Sequence, residues 1–151
     1  MDDPDEIIAA SASMPKLPLA AAVVAVAGLV DSIYLTIHHL TAEPVPCSII
    51  SGCETVLTSP YAEVAGVPLA AFGAAAYFIA FSLALLAVYG NRTAWMLFGL
   101  LAVGMAGFTA WLLYLQAYVI KAFCQFCLLS AITSVILFLI AVASRFRLRG
   151  R

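Results

Sequence analysis

Residues 122–143 read A-F-C-Q-F-C-L-L-S-A-I-T-S-V-I-L-F-L-I-A-V-A, a run with no charged side chain that opens on two cysteines three positions apart. An apolar run of 18 or more residues is the signature of a membrane span. At 1.5 Å per residue, a helix of this length crosses roughly 30 Å of hydrocarbon with some tilt. Three other long apolar runs precede it, at Leu17–Ile37, Val64–Tyr89 and Ala94–Ile120. Four spans explain a composition that is 65% hydrophobic and 10% charged over 151 residues. A soluble domain is about half apolar and a quarter charged, so one core could not hide this excess. The expected architecture is all-α, an integral membrane four-helix bundle.

The flanks assign the ends. Asp2, Asp3, Asp5 and Glu6 precede the first run, which is also longer than the apolar core of a cleaved leader. The reading is a disordered cytoplasmic tail over residues 1–16, a transmembrane domain over 17–145 and a basic cytoplasmic tail over 146–151. The net charge of −1 hides a strong segregation by position. With four crossings, Lys16, Arg92, Arg145, Arg147, Arg149 and Arg151 share one side, and only Lys121 falls on the other. Basic residues concentrate on the cytoplasmic side of a membrane protein. Both termini are therefore expected inside, in a cell inner (plasma) membrane. The segment His38–Glu63 and the turn at Lys121 are expected to face the periplasm. The terminal arginines read as an anchor on anionic lipid rather than a nucleic-acid arm. No nucleotide-binding glycine loop and no Ser-His-Asp arrangement occurs.

This topology gathers the four cysteines. Cys47 and Cys53 lie in the outer loop; Cys124 and Cys127 follow the outer turn by three and six residues. All four are expected on the outer, oxidising face, where disulfides persist. Cys124 and Cys127, at i and i+3, share a helix face in a first turn. Unpaired backbone N–H groups and the positive dipole end favour a thiolate there, with Lys121 nearby adding to the effect. Cys47 and Cys53 sit in P-C-S-I-I-S-G-C, a short segment rich in turn residues that can move. A fixed pair beside a mobile pair suits thiol–disulfide exchange through a mixed disulfide. Two static disulfides bracing the loop would also use four outward cysteines. A thiolate metal site with His38 or His39 is disfavoured because the C-x2-C knuckle stands alone.

Four ordered stretches resemble the vitamin K epoxide reductase family, and specifically its bacterial disulfide-forming members. They are G-L-V-D-S-I-Y-L-T (residues 28–36), a C-x5-C ending in S-G-C-E-T-V-L-T-S (51–59), G-V-P-L-A-A-F-G (66–73) and F-C-Q-F-C (123–127). A lone C-x2-C is weak, but the ordered set is specific, and the resemblance runs from about Gly28 to Ala143. It implies four transmembrane helices around a quinone, ubiquinone or menaquinone, with a short half-helix over Glu54–Leu57 covering the pocket. It implies that Cys47 meets a reduced thioredoxin-like, Dsb-type partner and that Cys53 passes electrons to Cys124. Cys127 then lies against the quinone. Ser59, Leu69, Phe72 and Ala131 are the remaining pocket positions that the resemblance supplies. Leu69 stands where animal members have an asparagine, and Ala131 where they have a tyrosine. Both departures favour quinone reduction over epoxide reduction. Bacterial relatives that carry a fused thioredoxin-like domain extend past Arg151, so a separate partner is expected here. Another quinone-linked disulfide-forming family places its C-x2-C in the first outer loop, the reverse of the order seen in this chain. A non-catalytic membrane protein with structural disulfides is the remaining alternative.

Other residues carry weaker signals. Asp31 lies inside the first span, where an ionisable group is costly and a functional candidate by default. It fixes helix packing or delivers protons to the reduced quinone. Ala102, Ala106 and Ala110, like Gly28 and Ser32, form small-residue lines that allow close helix packing. Trp95, Trp111, Tyr114 and Tyr118 fit interfacial belts, and Met96 and Met105 read as packing residues.

Overall fold

A computed structural model of the chain describes residues 16–149. The expected acidic tail before Lys16 and Arg151 of the expected basic tail lie outside the described residues. Helix α1 (Lys16–Thr41) leads into a loop and a short helix α2 (Cys53–Leu57). A small hairpin, β1 (Glu63–Val64) and β2 (Val67–Pro68), precedes α3 (Leu69–Val88). Helix α4 (Arg92–Tyr114) runs on through a π-helical turn, Leu115–Ile120, and α5 (Gln125–Arg149) follows. Four of these helices are long and apolar enough to cross a membrane. They close into a ring in which α1 packs on α3, α3 on α4, α4 on α5 and α5 back on α1.

Small side chains make this packing possible. Ala21, Ala25 and Ala84 are wholly buried at the helix contacts, with Ala80 and Ala102 close behind. Many large apolar side chains point outward, among them Val23, Val30, Leu100 and Ile132. Lipid tails are as apolar as leucine, so nothing drives such residues inward, and helix contact relies on close approach. Gly28 shows how close: a Cβ there would overlap the ring of Tyr77, which α3 inserts against α1. One turn on, Ser32 Oγ lies 3.2 Å from where a Cβ of Gly73 would stand. The Gly28/Ser32 line therefore is a packing face. On α4 only part of the expected line works this way, with Ala102 buried and Ala110 exposed.

The second span begins later than the run Val64–Tyr89 suggested. Ala65 (φ 53°) and Gly66 (φ 78°) take left-handed backbone in the two-residue turn of the hairpin. Such a turn matches the twist of paired strands, and Pro68, with φ −55°, then leads into the helix at Leu69. Hydropathy cannot separate Val64 and Val67 from helix; the turn chemistry does. Trp95 is also more than a belt residue, because its Nε1 donates to Ser144 Oγ (3.1 Å) and its ring stacks on Phe98.

Candidate active site

The helix order places the loop before α2, the hairpin and the turn before α5 at one end of the bundle. A disulfide joins Cys47 of that loop to Cys53, the first residue of α2, and Cys124 and Cys127 are free thiols. Cys53, Val56 and Cys124 form one buried cluster, with Cys47, Phe126 and Cys127 packed against it. The two cysteine pairs, far apart in sequence, thus meet in one sulfur layer.

Gly52 and Gln125 hold the loop on the dithiol, and Gln116 holds the dithiol segment itself. Gly52 has no Cβ because one would stand 2.5 Å from the Phe123 carbonyl oxygen and 2.9 Å from its nitrogen. Any side chain there pushes Cys53 away from Cys124. Gln125, between the two thiols, accepts a hydrogen bond from Ile49 N–H (3.0 Å), so the C-x2-C segment itself grips the loop. Gln116, buried in the π-helical turn, accepts from Cys124 N–H through its Oε1 (3.3 Å), while its carbonyl accepts from Ala122 N–H (3.2 Å). A π-helical turn re-aims side chains within an otherwise α-helical run. Here it carries Gln116 under the chain reversal at Lys121, whose left-handed φ of 55° ends the turn.

Cys124 precedes the spanning helix rather than lying inside its first turn. Its carbonyl accepts the first helical hydrogen bond, from Leu128 N–H (2.9 Å), which makes it the capping residue of α5. Its thiol is held below the ordinary thiol range, at about 7, by the Cys127 thiol and by the backbone N–H groups of Cys127 and Phe126, against the opposing effect of burial. These N–H groups are the donors that a cap side chain satisfies. The cap therefore favours the thiolate, the nucleophilic form. Lys121, expected to help, is exposed and serves the turn instead.

Below the sulfur layer lies a cavity of about 230 Å³. Cys127 is on its wall and Cys124 is not. All four pocket positions named from the sequence, Ser59, Leu69, Phe72 and Ala131, line it. Helix α2 and the segment after it form the roof through Val56, Leu57 and Ser59; Ser59 Oγ donates to the Val56 carbonyl (2.7 Å) and so closes the end of α2. His39 Nε2 meets Glu63 Oε1 at 2.6 Å and ties α1 to the hairpin beside this roof. His38, the other half of the histidine pair, stacks on Tyr34 with ring centroids 4.4 Å apart. Among the described residues no group of three metal-ligating side chains forms.

The cavity wall also has a polar patch that the sequence reading passed over. Tyr77 Oη donates to the Ser130 carbonyl (2.6 Å) and lies 3.0, 2.7 and 2.9 Å from the hydroxyls of Ser130, Thr133 and Ser134. Tyr77, Ser130 and Ser134 line the cavity. Gln116, Gln125 and Tyr77 were all legible as polar groups inside or beside apolar runs, which is the signal that would have found them.

A bundle of membrane-length helices with a disulfide and a dithiol packed together above an apolar cavity defines a multi-pass membrane protein built for thiol chemistry. Residues 19–142 match the model of the vitamin K epoxide reductase family, and the chain belongs to that family. It is a family of membrane oxidoreductases that work on thiols, disulfides and quinones.

Proposed function

We propose that the protein oxidises a thioredoxin-like dithiol partner through its cysteines and delivers the electrons to a membrane quinone. The observation that carries this reading is the contact of two cysteine pairs in different redox states, with Cys127 alone of the dithiol reaching the cavity.

The cavity suits a flat ring bearing two oxygens. Leu69, Phe72, Met105, Phe108 and Leu112 offer apolar walls, and the Tyr77, Ser130 and Ser134 hydroxyls offer polar partners on one side. A bound quinone would supply a two-electron sink more oxidising than the thiols. The chain's own residues do the rest. Cys47 is half-buried beside exposed Ser48 and Ile49, whereas Cys53 is 1% exposed, so a partner thiolate reaches Cys47 first. Its attack breaks the Cys47–Cys53 bond and releases Cys53, which lies in the same buried cluster as Cys124. Cys53 then exchanges with an oxidised Cys124–Cys127 pair, and Cys127 faces the cavity to be reoxidised. Leu69 and Ala131 put apolar atoms where the animal members have an asparagine and a tyrosine, which supports quinone over epoxide as the acceptor.

The basic ends of the helices oppose the sulfur layer, which supports a cytoplasmic placement of the Lys16, Arg92 and Arg145 end and an outward-facing loop in the inner membrane. The test is quinone reduction by purified protein with a reduced thioredoxin-like substrate, compared with single-cysteine variants. In Cys47→Ala, a Cys53–Cys124 disulfide is expected to accumulate. Continued turnover in Cys127→Ala would favour structural disulfides and end the proposal.

A further inference from the structure

Two buried side-chain atoms among the described residues have no hydrogen-bond partner: Asp31 Oδ2 and His38 Nδ1. Both belong to α1, seven residues apart, and therefore lie on one face of that helix. Tyr34, at i+3 from Asp31 and i−4 from His38, is the residue between them on the same face. Helical side chains lean toward the helix N-terminus. Tyr34 thus leans toward the level of Asp31, and its ring packs on His38 on one side and on Phe126 of the C-x2-C segment on the other (5.2 Å between centroids). The face that carries all three residues is the one turned to the dithiol.

Asp31 is 6% exposed and lies on the α1 face whose Tyr34 packs on Phe126, a residue between the two thiols of the C-x2-C segment. An ionisable group at this depth with no partner is costly to keep, and retention without a structural hydrogen bond points to use. At the other end of the face, His38 lines an open pocket at the loop end with His39, Glu43, Glu54 and Glu63, so that end communicates with solvent.

The need for such a face follows from the burial of the two thiols. Oxidation of the dithiol breaks two S–H bonds and forms one S–S bond. It releases two electrons and two protons. Cys127 lines the cavity and can hand its proton directly to a quinone oxygen there. Cys124 is 0% exposed and does not line the cavity, so its proton needs another acceptor.

Resting on the reading above, we propose that Asp31 accepts the Cys124 proton and that Tyr34 and His38 carry it along the α1 face to the solvent-open pocket. The quinone takes both electrons, one proton from Cys127 and one from solvent. The sum is dithiol plus quinone giving disulfide plus hydroquinone, with one proton released at the loop end and one taken up. Histidine suits the outer position because its two ring nitrogens can bind and release a proton on opposite sides. The charged or titratable groups around this face are Cys124 and Cys127 from the start of α5, Tyr77 from α3, and the His39, Glu43, Glu54 and Glu63 set of the pocket.

The test uses the full chain with Cys47→Ala and Cys53→Ala, reduced and free of quinone, so that Cys124 and Cys127 are the only thiols. Alkylation by a small neutral reagent is followed against pH, with and without Asp31→Asn or Asp31→Glu. The expected profile has a second, lower limb from the carboxyl, kept by Asp31→Glu and lost in Asp31→Asn. In otherwise unmodified protein, turnover of a soluble short-chain quinone is expected to fall about 10²-fold in Asp31→Asn, the scale of a general base. Recovery is expected in Asp31→Glu, and His38→Gln should slow turnover while keeping the two-limb alkylation profile. Superimposable alkylation profiles for Asp31→Asn and the parent, or equal loss in the Asn and Glu variants, would overturn the proposal. If Asp31→Asn does not fold, unaltered turnover in His38→Gln would overturn it as well. Absence of quinone reduction in the unmodified protein would refute the function proposed above, while the alkylation profile would still decide the role of Asp31.

Discussion

The two cysteine pairs use the same atoms on opposite kinds of scaffold. Cys47 and Cys53 are six positions apart. The first lies in a loop with little regular structure near Ile49, which has 86% of its surface exposed, and the second opens the five-residue helix α2. Cys124 and Cys127 are three apart at the start of a membrane-length helix, where backbone donors and a buried glutamine hold the first of them. In the proposed relay the loop carries a sulfur between a soluble partner and the bundle, while the helix keeps Cys127 at a set place on the cavity. Thiol exchange needs both, because one thiol must reach out while another holds a constant distance from its acceptor.

The largest way to break this comparison is to remove the sulfur that joins the two halves. Cys53→Ala and Cys127→Ala are each expected to reduce quinone-coupled oxidation of the partner to background, read as quinone absorbance. A milder break acts through Gly52. In Gly52→Ala the new Cβ meets the Phe123 backbone, so the loop lifts from the dithiol. The expected loss is about 2 kcal/mol of stability, in the range of overpacking changes, together with slower Cys53–Cys124 cross-linking. Thermal unfolding and trapping kinetics in Cys47→Ala protein read both.

The helix side sharpens by smaller changes. Gln116→Leu strands the buried Cys124 N–H at about 1–3 kcal/mol, the cost of an unsatisfied buried donor. Melting of the variant in detergent measures it. The thiol of Cys124 is held near 7 first of all by Cys127, so Cys127→Ala should raise the midpoint of Cys124 alkylation from about 7 toward the ordinary 9.0. The sign follows because loss of a donor to the thiolate disfavours the charged form. The smallest effect is expected for Gln125→Ala. Ile49 N–H is exposed and water replaces its partner, so stability changes by less than about 1 kcal/mol. Loosening should appear as faster proteolysis of the 47–53 segment.

Much of this molecule was legible in the chain itself. The four spans follow from uninterrupted apolar runs, and the shared level of four cysteines follows from counting crossings. The pocket positions Ser59, Leu69, Phe72 and Ala131 came only from resemblance, and all four line the cavity. The start of α3 was misplaced because Val64 and Val67 are apolar whether in strand or helix, and only the left-handed pair Ala65–Gly66 separates the two. Cys124 caps α5 instead of lying in its first turn, a distinction the apolar run does not carry because capping depends on which N–H groups a side chain meets.

Hydropathy and charge are properties of single residues summed over a window, so the sequence alone determined the number of spans, the loop and the end of the bundle that carries sulfur. The partners of Gln116, Gln125, Gly52 and Tyr77 lie across a turn, a loop or another helix, and only the tertiary structure decided them. The same holds for Asp31. Its position within a span was visible at once, but which helix it faces depends on how α1 is rotated against α3 and α5. That rotation is set by small residues such as Gly28 meeting large ones such as Tyr77. Contacts of this kind belong to pairs of residues, and no reading of one stretch contains them.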